Sequence, residues 1–244
     1  MMNESGAILK TEGINIHYGD LQAVHDLHME IRQGSMVAII GANGAGKSTL
    51  LNTIMGLHKP TSGKVTFDGE DITGMLTSKI VSKGLAMTPE GSLIFEDMTV
   101  MENLLLGSHL PDAKKVRKQQ LELVFDLFPM LSEKKKQLGT FLSGGQRQML
   151  AISRAIMENP KMILCDEISL GLAPVVIKDI YRVLKRINET GVTFILVEQE
   201  VKRSLKYSDY AYVLLKGRVV MEGPSKELQE DEVSDVYFGI EKLK

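Results

Sequence analysis

Short apolar runs bounded by glycine alternate along this chain with longer stretches in which apolar residues return every third or fourth position. Ile8 to Tyr18, Val24 to Ile31 and Lys64 to Asp68 read as strands, punctuated by Gly19, Gly34 and Gly63. They predict a β-rich lobe at the start of the chain. Met36-Val37-Ala38-Ile39-Ile40 is apolar throughout, as a buried strand would be, and Thr49 to Met55 follows with helical periodicity, ending near Gly56. From about Met98 to Met157 the helical period dominates, with Leu121, Val124, Phe125 and Phe128 forming one apolar stripe. Beyond it, Met162 to Cys165, Val175 to Glu189 and Thr193 to Val197 alternate strand, helix and strand, and Ala211 to Leu215 with Arg218 to Glu222 form a closing pair. That alternation predicts an α/β fold around a parallel sheet. The sequence has no internal repeat or low-complexity segment.

Composition narrows the picture. With 244 residues, 43% of them apolar, the chain can form one large domain or one domain carrying a subdomain. The single cysteine, Cys165, excludes a disulfide framework within the chain and offers no metal-ligand cluster, which suits a reducing cytoplasm. A formal charge of −2 leaves no basic footprint, so no nucleic-acid partner is expected. The clusters Lys114-Lys115, Arg117-Lys118 and Lys134-Lys135-Lys136 read as solvated helix faces rather than lipid contacts. No stretch approaches the roughly eighteen apolar residues of a spanning helix, and Met1 to Lys10 lacks a signal-peptide core. Any membrane attachment is therefore expected to come through partners.

Three motifs carry chemistry. Gly41-Ala42-Asn43-Gly44-Ala45-Gly46-Lys47-Ser48, followed by Thr49, fits G-x-x-x-x-G-K-[ST] between a strand and a helix. In that context its backbone N–H groups close round phosphate oxygens at a helix N-terminus, Lys47 reaches the outer phosphates and Ser48 offers its hydroxyl to Mg²⁺. A glycine-rich turn without a ligand would not need the flanking strand and helix. The apolar run Lys161 to Cys165 ends in Asp166 and Glu167, which places two carboxylates at the carboxyl edge of the sheet. Asp166 suits Mg²⁺, directly or through water, and Glu167 suits orienting and deprotonating an attacking water. In Leu142-Ser143-Gly144-Gly145-Gln146 the glycines open a helix through Gln148, Ile152 and Ala155, so Ser143 and the amides after it form a second anion site. Cys165 reads as a buried core thiol, and His17, His25, His28, His58 and His109 fall outside the motifs as structural or surface residues.

The three motifs in this order resemble the ATP-binding-cassette ATPases. The resemblance runs from Leu9 to Gly239 and implies a P-loop NTPase cassette: a mixed or parallel sheet core, an antiparallel β lobe and a helical signature subdomain. Residues 1–87 and 159–244 would form the nucleotide-binding core and about 88–158 the helical part of one domain, 1–244. It further implies that Tyr18 stacks on adenine and that Ser143, Gly144, Gly145 and Gln146 cover the γ-phosphate of ATP held by a second ATPase subunit, identical or not, in a head-to-tail dimer. Ser169 to Pro174 would lie where the two subunits touch. Met87-Thr88-Pro89-Glu90-Gly91, Phe95, Met98 to Leu104 and Val197-Glu198-Gln199 are similar to the ATPase subunits of branched-chain, or hydrophobic, amino acid importers. That form implies permease partners at the cytoplasmic face of the membrane and, indirectly, an extracytoplasmic solute-binding protein.

Glu90 and Gln199 stand where the wider superfamily carries glutamine and histidine. Glu90 can offer an oxygen to Mg²⁺ but adds a third carboxylate near Asp166 and Glu167. Gln199 can donate to the γ-phosphate yet takes up no proton near neutral pH, so no switch histidine is expected in the pH–rate profile. Ser92-Leu93 and Ile168 depart from the importer subfamily, which has basic residues and a proline there; all three are expected to border the partner-facing surface. A soluble cassette ATPase of DNA repair or translation would share every nucleotide motif, but such proteins carry coiled-coil insertions or a second cassette. A non-hydrolysing regulator is disfavoured by Lys47, Asp166 and Glu167.

Overall fold

Two long strands, β1 (Ala7–Tyr18) and β2 (Leu21–Arg32), open the computed structural model, which describes residues 6–237. Residues 1–5 and 238–244 of the expected domain, with Gly239, lie outside the described residues. The two strands pair with each other, and β1 also pairs with β4 (Ser62–Phe67), which carries the short β5 (Glu70–Asp71) on its far edge. All pairings in this four-stranded sheet are antiparallel. One face is apolar: Leu9, Ile14, Ile16, Val24, Leu27, Ile31 and Phe67 are all buried. The strand expected to run to Asp68 stops at Phe67, because Asp68 enters a turn at φ 49° ahead of Gly69.

The second sheet holds the centre. It combines β3 (Met36–Ile40), β6 (Leu85–Thr88), β7 (Met162–Asp166), β8 (Thr193–Glu198), β9 (Tyr210–Leu215) and β10 (Arg218–Pro224) in the order β10-β9-β3-β8-β7-β6. Every pairing is parallel except β9 with β10. Strands β3, β7 and β8 are buried along their whole length, which explains their continuous apolar runs: both faces of a parallel sheet are covered. On one face the sheet packs with α1 (Lys47–Ile54) against the antiparallel lobe. On the other lie α3 (Val100–Gly107), α4 (Pro111–Leu127), α5 (Pro129–Glu133), α6 (Gly144–Met157) and α7 (Pro174–Asn188). Helix α1 starts at Lys47, two residues before the apolar periodicity begins. Three short helices, α2 (Thr77–Ser82), α8 (Val201–Tyr207) and α9 (Glu230–Tyr237), carry only one or two buried residues each, so no apolar stripe betrays them.

Local chemistry sets the helix starts. Thr99 and Glu102 form a reciprocal capping box at α3, and Ser143 and Gln146 form another at α6. Pro174 sits in the first turn of α7, where its missing N–H has no partner to lose. Ile177, Ile180, Tyr181, Leu184 and Ile187 then turn one face of α7 into the core. Among the described residues no helix is long and apolar enough to cross a membrane.

Glu158 follows α6 in a half-buried position where burial pushes its carboxyl up to about 7, with Arg154 opposing. Below the ordinary carboxylate range both folded and unfolded chains hold this proton. As pH rises toward 7 the unfolded chain releases it first, so folding stability falls by an amount on the order of 1–3 kcal/mol. Glu158→Gln is therefore expected to melt at a higher temperature than the parent at pH 8 and at nearly the same temperature at pH 4. Thermal unfolding at the two pH values checks this.

Candidate active site

The glycine-rich segment leaves the end of β3 and enters α1 through Gly46, which has φ +99°. A Cβ on Gly46 would sit 2.8 Å from the carbonyl oxygen of Ala23, so both conformation and space require glycine. The Gly46 carbonyl accepts the first intrahelical bond, from Leu50 N–H at 2.9 Å, and the N–H groups at the head of α1 have no acceptor within the helix. They form a positive, outward-facing rim suited to phosphate. Lys47 is 4% exposed and bends back over this loop, its Nζ donating to the carbonyls of Gly41 at 2.8 Å and Ala42 at 3.1 Å.

Parallel register brings the carboxylates to the same edge. Asp166 pairs with Val197, and Glu198 pairs with Ile40, so β7, β8 and β3 end side by side. The Asp166 side chain is buried and accepts a hydrogen bond from Ser48, while its Oδ1 has no partner among the described residues. Burial raises its pKa, and the charges of Glu167 and Glu90 add to that, with the Ser48 bond and Lys47 opposing. A buried carboxylate oxygen without a partner, beside a hydroxyl at a phosphate loop, fits an oxygen-seeking divalent cation such as Mg²⁺.

Glu167 takes the left-handed conformation, φ 47°, a strain of roughly 1 kcal/mol or more for a residue with a Cβ. The strain turns its side chain toward the loop. Oε1 lies 3.3 Å from Lys47 Nζ, Oε2 accepts from Gln199 Nε2 at 2.5 Å, and the backbone N–H donates to Val197 O at 3.0 Å. These groups surround a cavity of about 370 Å³ lined by Asn43, Gly44, Gly46, Lys47, Ser48, Thr49, Glu90, Glu167, Leu170 and Gln199. Leu170, read from the sequence only as part of the subunit-contact loop, also lines this cavity.

The other candidate residues stand apart. Ala45 is buried beneath the loop, and Gly41, behind it, receives Lys47. Tyr18, at the end of β1, is 47% exposed and rests on His58 with ring centroids 4.4 Å apart, outside the cavity lining. Ser143, Gly144, Gly145 and Gln146 begin α6 and contribute nothing to the cavity wall. Ser143 and Gly144 face solvent, and the Ser143 hydroxyl accepts from Gln146 N–H as a helix cap. A hydroxyl that accepts there keeps its own proton free to donate. Gly145 has a packing reason for its identity, since a Cβ would stand 2.8 Å from Val176 Cγ1.

One expectation is corrected. Ile168 offers a partner almost no side-chain surface: at 2% exposure it packs in the core between sheet and helices, which an apolar side chain favours. Leu93 is exposed as expected, whereas Ser92 turns back to hydrogen-bond Gln148 on α6. Burial raises the pKa of the Cys165 thiol far above its ordinary value, as an inert core cysteine requires.

The family model described as "ABC transporter" matches residues 24–169. The high-affinity branched-chain amino acid transport ATP-binding protein BraG of Pseudomonas aeruginosa is 43% identical over 95% of this chain and 100% of its own length. A nucleotide-free ATP-binding cassette from an ABC transporter superposes with a TM-score of 0.80 at 31% identity, covering 97% of this chain and 96% of that one. A dimeric cassette in a post-hydrolysis state with ADP and Pi gives 0.78 at 26% identity, covering 90% and 100%. A phosphate loop, an acidic strand end and a helix whose Ser143-Gly144 start faces solvent on this fold, with these relatives, make the chain a member of the ABC transporter family: an ATP-hydrolysing ATP-binding cassette.

Proposed function

We propose that this chain energises uptake of branched-chain or other hydrophobic amino acids, or a closely related small solute, from the cytoplasmic face of a membrane. The observation that carries the reading is the full-length likeness to BraG. Permease subunits would span the membrane, and an extracytoplasmic binding protein would deliver the solute. The test is uptake of labelled leucine, isoleucine and valine in a host lacking the gene. Restoration by the parent chain but not by Glu167→Gln supports the reading; parental uptake without the gene contradicts it.

We further propose the following roles. Lys47 and the amides of Gly41 to Thr49 bind the ATP phosphates, and Tyr18 stacks on the adenine. Ser48 and Asp166 hold Mg²⁺, with Glu90 on the rim; the bound ion supplies charge neutralisation at the phosphate oxygens. Glu167 orients the attacking water and takes its proton, while Gln199 holds Glu167 and donates to the γ-phosphate. Ser143 and the amides of Gly144, Gly145 and Gln146 complete the site of a second subunit.

Glu90 gives this arrangement a measurable signature. Its charge adds to the repulsion already felt by Asp166, so the empty site should be harder to assemble without a cation. Glu90→Gln is expected to shift the Mg²⁺ titration of ATPase activity, with hydrolysis becoming less dependent on Mg²⁺ concentration by about two- to tenfold. A titration superimposable on that of the parent would remove this role for Glu90.

A further inference from the structure

At the end of β8, three consecutive residues grip the segment that carries Glu167. The Val197 carbonyl accepts the Glu167 N–H, Gln199 donates to the Glu167 carboxylate, and Glu198 between them reaches the other way, to Ser169 just beyond. Glu198 is 3% exposed. Its Oε2 accepts from the Ser169 hydroxyl at 2.6 Å and its Oε1 from the Tyr181 hydroxyl on α7 at 2.6 Å, while Arg203 on α8 stands 3.8 Å away. Arg203 also donates to Ser169 Oγ at 2.6 Å and pairs with Glu200, and Tyr181 stacks on Tyr207 with centroids 4.3 Å apart. The cluster joins the loop after β7, the end of β8 and two helices through one carboxylate.

Burying a carboxylate is costly unless its oxygens are satisfied and its charge is balanced. An apolar residue would fill this space without that cost, so packing alone gives no reason for an acid. We propose that Glu198 is a positioning residue for hydrolysis, holding Ser169 so that Glu167 and the loop from Ser169 to Pro174 keep one registration relative to Gln199. Glu198 is buried and does not line the cavity. It acts through the segment it holds, and so bears on the rate of the chemical step rather than on nucleotide affinity. The inference rests on the role given to Glu167 above.

The experiment compares the full-length parent with Glu198→Ala, Glu198→Gln, Ser169→Ala, the Glu198→Ala/Ser169→Ala double variant and Glu167→Gln. ATP turnover, dissociation constants for ATP and melting temperatures are measured on each. Glu198→Ala is expected to lower kcat by about 10- to 100-fold, as a small misplacement of a catalytic group does, with the ATP dissociation constant within about twofold of the parent. Glu198→Gln, which keeps an acceptor oxygen, should recover part of that loss, and adding Ser169→Ala to Glu198→Ala should cost little more because both act through one contact. Parental kcat in both Glu198 variants overturns the proposal, as does a loss of ATP affinity matching the loss of kcat. If Glu167→Gln itself turns over at the parental rate, the role of Glu167 fails and this inference with it. If Glu167→Gln is inactive while the Glu198 variants match the parent, only this inference fails.

Discussion

Glu167→Gln is expected to bind ATP and to hydrolyse it about 10²- to 10⁴-fold more slowly than the parent, the range that loss of a positioned general base spans. The substitution conserves shape, so it leaves the buried segment in place. It removes the negative charge 3.3 Å from Lys47 and the oxygen that can take a proton from water. Lys47 keeps the Gly41 and Ala42 carbonyls as partners, and bound phosphates supply the missing countercharge. Binding and chemistry therefore separate. Turnover measured beside ATP affinity checks this, and a rate within tenfold of the parent would assign the base elsewhere.

Two further single substitutions should also silence the enzyme, for different reasons. Lys47→Ala strips the phosphate loop of its buried cation and leaves Glu167 without its ion-pair partner. Removing one such charge-stabilising donor costs roughly 10²- to 10³-fold in kcat, and here ATP affinity should fall as well. Ser143→Ala should leave ATP binding by the isolated chain unchanged, because Ser143 lies outside the cavity walled by Lys47 and Glu167. Its effect should fall on turnover alone. The lost helix cap costs about 1 kcal/mol, too little to unfold a domain stable by about 5–15 kcal/mol. ATP titrations and steady-state rates on both variants distinguish the two patterns.

Elements whose apolar period is long or continuous were legible in the sequence: β3, β7, β8, α6 and α7 lie close to where the pattern puts them. Short surface helices were not, because α8 buries only Val201 and Ser204, too few positions to show a period. Within the site, motif spacing identified Lys47, Ser48, Asp166 and Glu167, while Glu90 and Gln199 were reached only through the family resemblance; the parallel register brings β3, β7 and β8 to one edge, and all but Asp166 line the cavity there. Other features depend on three-dimensional context. Glu198 stood out in the sequence only as the middle of Val197-Glu198-Gln199, and nothing there shows that it is enclosed by Ser169, Tyr181 and Arg203, which come from three other segments. Ile168 looked like a surface departure and is core. Glycine at position 145 read as an anion-binding feature, and the packing of α6 against Val176 requires it independently.

In one chain the phosphate loop and acidic edge form a cavity, while Ser143 faces solvent away from it. The central claim is that a second cassette brings its own Ser143 to that cavity and receives the same in return. Mixing Lys47→Ala with Ser143→Ala, each inactive alone, tests this most directly. A mixed pair holds one site with an intact loop from one copy and an intact signature from the other, so the mixture is expected to regain ATP turnover. No recovery in any ratio, with full activity from a parent held strictly monomeric, would contradict it.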